Sequence, residues 1–203
     1  MEGLQSLPTI LRQRSGSDFW TWEERYASPR RRPRRGPSAW LVTYADRLPT
    51  GRALDVATGE GRNALFLARR GFEVTGVDRS PTALRTARAR AREEGLELEL
   101  HLADLEACEL PAGPFQVVVV MRYLQRSLFE PLGRALAPGG VLLYESFTRD
   151  YLKYGPRNPE HLLRPGELRQ AFRDLEILAY RETEDPERRE ARASLLARKP
   201  LKP

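Results

Sequence analysis

The sequence predicts an α/β fold: a doubly wound, mostly parallel seven-stranded sheet with helices on both faces and an antiparallel last strand. Three observations predict it. From residue 52 onward, short apolar runs of strand type alternate with segments of helical period. Phe115 to Met121 is an unbroken apolar run, as expected of a strand covered on both faces. The last two strand-like segments are joined only by Glu184-Asp185-Pro186-Glu187, too short for a crossover helix, so they pair antiparallel.

The elements follow in order. Ser17 starts a short helix through Trp20, Trp22 and Tyr26, and Ser38 caps a second one with Trp40, Leu41, Tyr44 and Leu48 on its apolar face. Between them lies Ser28 to Pro37, where prolines and like-charged arginines prevent regular structure. Strands are expected at 52–57, 72–77, 96–102, 115–121, 141–147, 175–183 and 191–199. Helices are expected at 61–70, 80–94, 127–136 and 165–173. Ser80-Pro81 with Gly95 marks both ends of one, and Ser127 with Glu130 forms a capping box for another. No repeat is present. The whole chain, 1–203, reads as one domain, with 1–50 as a cap and 51–203 as the core.

Composition narrows the class. Hydrophobic content of 40% with 31% charge fits a folded, soluble chain. No run approaches the ~20 apolar residues that cross a bilayer, and Met1 to Leu11 lacks a signal-peptide pattern, so a cytoplasmic location is expected. Cys108 is the single cysteine, which excludes an internal disulfide and a thiolate metal cluster, and no metal is expected. The net charge is +6, and residues 1–50 carry +4 of it. That balance is compatible with nucleic acid along Arg30–Arg35 or with an ordinary solvated surface.

The chemistry concentrates at Ala53-Leu54-Asp55-Val56-Ala57-Thr58-Gly59-Glu60-Gly61-Arg62-Asn63: strand, glycine turn, helix start. In such sheets ligands bind beyond the carboxyl ends of the strands, beside the first strand. Gly59-Glu60-Gly61-Arg62-Asn63-Ala64 also fits the dinucleotide fingerprint, and a tight turn without a ligand is a further reading. Asp55, inside the strand, is placed to accept from an ammonium group, which a phosphate-binding turn does not need. Asp78 ends the second strand, where an acid takes both hydroxyls of a ribose. Asp104 follows the third, placed for an adenine amino group, with Leu105 against the ring.

On these residues the chain resembles the class I S-adenosylmethionine-dependent methyltransferases, a Rossmann-like family, from Ala53 onward. The family's first motif is D-x-G-x-G-x-G, with Ala57 here at the first glycine, and Leu136-Ala137-Pro138-Gly139-Gly140 matches its turn into the fifth strand. Within the class the chain is similar to the tellurite-resistance (TehB-like) and thiopurine-type branch. Trp22-Glu23-Glu24-Arg25-Tyr26, Gly61-Arg62-Asn63, the stretch Gly155 to Leu163, Pro165-Gly166-Glu167-Leu168 and Leu178-Ala179-Tyr180-Arg181-Glu182 carry that likeness.

The resemblance implies S-adenosyl-L-methionine as cofactor and S-adenosyl-L-homocysteine as product. The cofactor would be held by Arg25, Asp55, Ala57, Thr58, Gly59, Gly61, Arg62, Asn63, Asp78, Arg79, Ser80, Asp104, Leu105 and Met121, with Arg25 on the methionine carboxylate. It implies a small-molecule acceptor, an oxyanion or a thiol; the alternatives are an RNA methyltransferase using Arg30–Arg35 as an arm and a non-catalytic cofactor-binding protein. From their places after the fourth and fifth strands, Arg122, Tyr123 and His161 are the acceptor-side candidates, with Arg157 as added positive charge, against strand-end and loop packing. The sequence offers no obvious general base, and for a soft nucleophile that absence is tolerable, because the sulfonium already activates the methyl group. A monomer and a homodimer are equally compatible.

Overall fold

The computed structural model describes residues 23, 24, 26–28, 36–155 and 157–201. The expected helix from Ser17 through Trp20 and Trp22, together with Arg25 and Arg30 to Arg35, lies outside the described residues, apart from helical backbone at 23, 24, 26 and 27. The remainder is α1 (Ala39–Tyr44), β1 (Arg52–Val56), α2 (Arg62–Arg69), β2 (Glu73–Asp78), α3 (Pro81–Glu93), β3 (Glu99–Leu102) and β4 (Phe115–Met121). It continues with α4 (Phe129–Ala135), β5 (Leu136–Phe147), α5 (Glu167–Ala171), β6 (Glu176–Asp185) and β7 (Glu190–Arg198).

The seven strands form one sheet in the order β3-β2-β1-β4-β5-β7-β6. β7 runs antiparallel to both its neighbours and the other pairs are parallel, as the sequence predicts. Alternation along the strands sends side chains to two cores. Leu54, Val56, Val118, Val120, Leu142 and Tyr144 face Leu132 of α4 and Leu168 of α5. Ala53, Val74, Val117, Val119 and Leu143 face Trp40 and Leu41 of α1 and Ala64 and Leu67 of α2. The order switches direction between β1 and β4, which places the end of β1 at the crevice where ligands bind in open α/β sheets.

Several local expectations change. The expected strand from residue 96 begins at Glu99, because Leu96 N–H instead bonds Ala91 C=O and closes the end of α3 (2.8 Å). Pro138-Gly139-Gly140 is an irregularity inside β5, where the register with β4 jumps from Phe115–Leu136 to Val117–Val141. Ser80 caps α3 through Ala83 N–H (3.1 Å), as expected. Ser38 and Ser127 do not cap. The Ser38 hydroxyl donates to Glu145 instead, and Ser127 sits within the 3-10 turn Arg126–Leu128, accepting from Gln125, while Glu130 pairs with Arg134.

Glu145 is the polar hub of the second core. Its carboxylate is 2% exposed and accepts from Arg192 Nη1 (3.1 Å), Ser194 Oγ (3.0 Å) and Ser38 Oγ (3.4 Å). Arg192 also meets Glu190 (3.5 Å), which forks onto Arg122 at 3.1 and 3.2 Å. Removing Glu145 takes the acceptor from the Ser38 and Ser194 hydroxyls and leaves Arg192 with Glu190 alone of its two carboxylates. Glu145→Ala is therefore expected to cost about 3 kcal/mol, whereas Glu130→Ala, which breaks a pair exposed on both sides, should cost under ~0.5 kcal/mol. Urea unfolding of the two variants measures the contrast, and equal costs would refute the role given to Glu145.

Candidate active site

The site starts at the end of β1. Asp55 is 1% exposed, and its Oδ2 accepts from Thr58 Oγ1 (2.6 Å) and from Ala64 N–H in the first turn of α2 (3.2 Å). Burial pushes its carboxyl up from 3.8 to about 6, with the Thr58 hydrogen bond, Arg62 and the Ala64 hydrogen bond pulling the other way. The chain then turns sharply: Ala57, Gly59 and Gly61 all have left-handed φ, at +55°, +57° and +75°.

The two glycines are required by different neighbours. A Cβ on Gly61 would stand 2.9 Å from the Ala87 Cβ, so this residue lets α3 pack against the start of α2. A Cβ on Gly59 would stand 2.7 Å from the Tyr26 hydroxyl. Ala57 takes its left-handed conformation with a Cβ in place, so its cost here is backbone strain.

Asp78, 6% exposed at the end of β2, ties the turn to α3. Its Oδ2 accepts from Gly59 N–H (2.7 Å) and its Oδ1 from Ser80 N–H (2.9 Å). Burial raises its pKa, and the hydrogen bonds to Ser80 and Gly59 oppose the rise. Asp78 is thus part of the fold as well as a candidate ligand contact. Ala103 N–H bonds the Asp78 carbonyl (3.1 Å), which brings the segment after β3 alongside. There Asp104 accepts from Glu106 N–H (3.1 Å), Leu105 is buried, and Arg79 approaches Glu106 at 3.6 Å.

Other expected contacts serve different partners. Asn63 is buried with its Oδ1 accepting Ser38 N–H (2.9 Å), and Arg62 Nη1 donates to Gly36 C=O (3.4 Å). Both therefore attach the segment before α1. Met121 is buried and lies across from Glu145 in the β4–β5 register.

The expected acceptor residues do not form one group. Arg122, with φ +65°, turns to Glu190 and lies over the Phe147 ring (5.2 Å), where Arg157 also stacks at 4.4 Å. Tyr123, one residue on, packs instead into the first core. Burial, then the charges of Glu106 and Asp104, holds its hydroxyl well above the usual tyrosine range. His161 is exposed, and both neighbouring carbonyls, those of Glu160 and Leu162, are held by Arg126.

Sequence reasoning missed Glu145, Glu190, Arg192 and Arg126. A signal existed for the first: an acid inside Leu143-Tyr144-Glu145-Ser146-Phe147 opposite the alternating Arg192 and Ser194.

Comparison with known proteins agrees with this architecture. Residues 53–140 match the family model of the methyltransferase domain. That match covers less than half of the chain. A demethylmenaquinone methyltransferase from Thermus thermophilus is 40% identical over 104 residues, 47% of this chain and 47% of that protein. A ubiquinone biosynthesis O-methyltransferase from Caulobacter is 35% identical over 104 residues, 48% of this chain and 41% of that one. The chain thus spans less than half the length of these relatives. Among solved structures, TehB from Haemophilus influenzae superposes with a TM-score of 0.68 at 22% identity, covering 78% of this chain and 61% of that one, which shows the fold. No group of three or more His, Cys, Asp or Glu among the described residues could hold a metal, and no helix there is long and apolar enough to cross a membrane.

Two outcomes follow for this turn. Ala57→Gly relieves a left-handed residue costing ~1–2 kcal/mol and loosens the unfolded chain by ~0.4–1 kcal/mol. A net gain of about 0.5–1 kcal/mol in denaturant unfolding is expected. Asp55 has its folded pKa raised, so the native state holds that proton longer than the unfolded chain does. Its contribution is neutral below about pH 4 and becomes unfavourable as pH rises to about 6, where the penalty levels at about 2–3 kcal/mol. Asp55→Asn should remove that downward slope and stabilise the protein at pH 7. Parallel slopes for parent and variant would contradict the assignment.

Proposed function

We propose that the chain is an S-adenosylmethionine-dependent methyltransferase acting on a small-molecule acceptor. One observation carries this reading: two buried carboxylates, Asp55 and Asp78, converge on a single glycine turn at the switch point of the sheet. A pyrophosphate would meet two negative charges there. A ligand with an ammonium group and ribose hydroxyls meets acceptors for both.

The residues fit the cofactor. Asp55 carries an unrelieved desolvation penalty that an adjacent ammonium would offset. Asp78 gives one lone pair of each oxygen to a backbone N–H, which leaves acceptor capacity on both for the ribose. Asp104 and Leu105 are the residues proposed for the adenine amino group and ring. Thr58, Ala57 and Gly59 shape the turn, and Arg25 would take the methionine carboxylate.

Bound there, S-adenosylmethionine supplies a methyl group already made electrophilic by its sulfonium. What remains for the protein is to orient the acceptor and exclude water, and orientation can lower such a barrier by ~7–11 kcal/mol. The proposed acceptor side is the rim at the ends of β4 and β5, with Arg122 and Arg157 on Phe147, and His161 in the following loop. Tyr123 belongs with the cofactor side, facing Asp104 and Glu106. The acceptor proposed for this rim is an oxyanion or a thiol, and a methyl-transfer screen across tellurite, selenite and thiols, with bulk RNA as control, tests the acceptor class.

The cofactor assignment has its own test. S-adenosylhomocysteine at ~100 times its dissociation constant should add ~2.7 kcal/mol of apparent stability. NADH should add none, and the reverse result would overturn the reading. Because the ammonium pairs with ionised Asp55, affinity should fall about tenfold between pH 7 and pH 5, the ionised fraction dropping as pH passes below about 6. Titration calorimetry across that range gives the profile, and a flat one would detach Asp55 from the ligand.

A further inference from the structure

Two residues of the N-terminal segment stand directly over the Asp78 bridge. Glu23 accepts hydrogen bonds from the hydroxyls of both Ser80 and Thr82, in the first turn of α3. Tyr26, one helical turn further on, brings its hydroxyl against Gly59. Ser80 and Gly59 are the two residues whose N–H groups Asp78 joins. A continuous path therefore runs from Glu23 through Ser80, Asp78 and Gly59 to Tyr26. The same part of the chain is attached again further along, where Ser38 N–H meets Asn63 and Gly36 C=O meets Arg62.

The chemistry makes Glu23 more than a surface contact. Ser80 Oγ already accepts from Ala83 N–H, so its hydroxyl hydrogen is free to donate, and a carboxylate is the strongest acceptor for it. Glu23 also places negative charge at the amino end of a 13-residue helix, where the dipole favours it. Two hydroxyls and a helix end thus converge on one carboxylate from outside the core.

We propose that Glu23 is a positioning residue that latches the N-terminal turn over the cofactor cleft and thereby sets how long the cofactor stays. The proposal rests on the cofactor reading above. With the latch formed, Tyr26 lies across Gly59 and the glycine turn is covered. With Ser80 and Thr82 released, that cover lifts while Asp55, Asp78 and the turn keep their own hydrogen bonds. Breaking the latch therefore acts on exit more than on the contacts that recognise the ligand.

The experiment is rapid-mixing measurement of S-adenosylhomocysteine association and dissociation on the full chain, following tryptophan fluorescence. Glu23→Ala and Thr82→Val are expected to speed dissociation, the first about tenfold and the second about threefold. Association should change less than about twofold, and melting temperature without ligand should fall only slightly, the contacts being at the edge of the fold. Glu23→Gln, which keeps an acceptor but loses the charge, should fall between parent and Glu23→Ala. Dissociation at the parental rate in Glu23→Ala overturns the latch while leaving the cofactor reading intact, as does an affinity loss carried entirely by slower association. Failure of the parent itself to bind S-adenosylhomocysteine overturns both.

Discussion

The Asp78 carboxylate is the constraint on which the site depends. It is an acid withdrawn from water at the end of β2, and two backbone N–H groups from different elements, Gly59 and Ser80, keep it acceptable there. One hydrogen bond sets the path of the turn leaving β1, and the other sets the start of α3. Because the charged group stays buried through its contacts with the backbone, the geometry is held whether or not a ligand is present. Preorganisation of this kind separates a binding turn from a loop that must be ordered at each encounter.

Asp55 works by a different principle. Its hydrogen bonds to Thr58 and Ala64 do not offset the cost of its burial, and the raised pKa expresses the shortfall. A fold selected for stability alone would carry an amide at this position. A buried carboxylate whose burial outweighs Thr58, Ala64 and Arg62 together is the partner proposed above for the cofactor's ammonium group.

The sheet was legible because its signals are local and redundant. Strand runs, the Ser80-Pro81 start and the short link between the last strands each report on backbone sterics or burial that near neighbours decide. The glycine turn and its acids were legible for the same reason. Expectations failed where a hydroxyl had a distant competitor. Ser38 reads as a cap in sequence, yet its donor goes to Glu145, 107 residues away. Glu23, beside the first expected helix, accepts instead from Ser80 and Thr82 at the start of α3. Arg122 and Tyr123, adjacent in sequence, diverge because a left-handed residue at the strand end sends their side chains to opposite sides of the rim. Pairings of that kind have no periodicity to betray them.

The reversed direction of β7 has a consequence for the order in which the molecule can assemble. Running against its neighbours, β7 delivers its first residues, Glu190, Arg192 and Ser194, to the rim where the parallel strands end. There they meet Ser38 and Glu145, while Trp40 Nε1–H reaches Leu195 C=O across 155 residues. Closing loops of that span is entropically costly until most of the sheet exists to hold them. The rim at the ends of β4 and β5 is therefore expected to consolidate late as the chain folds, after the turn at Gly59, whose partners lie 19 residues apart.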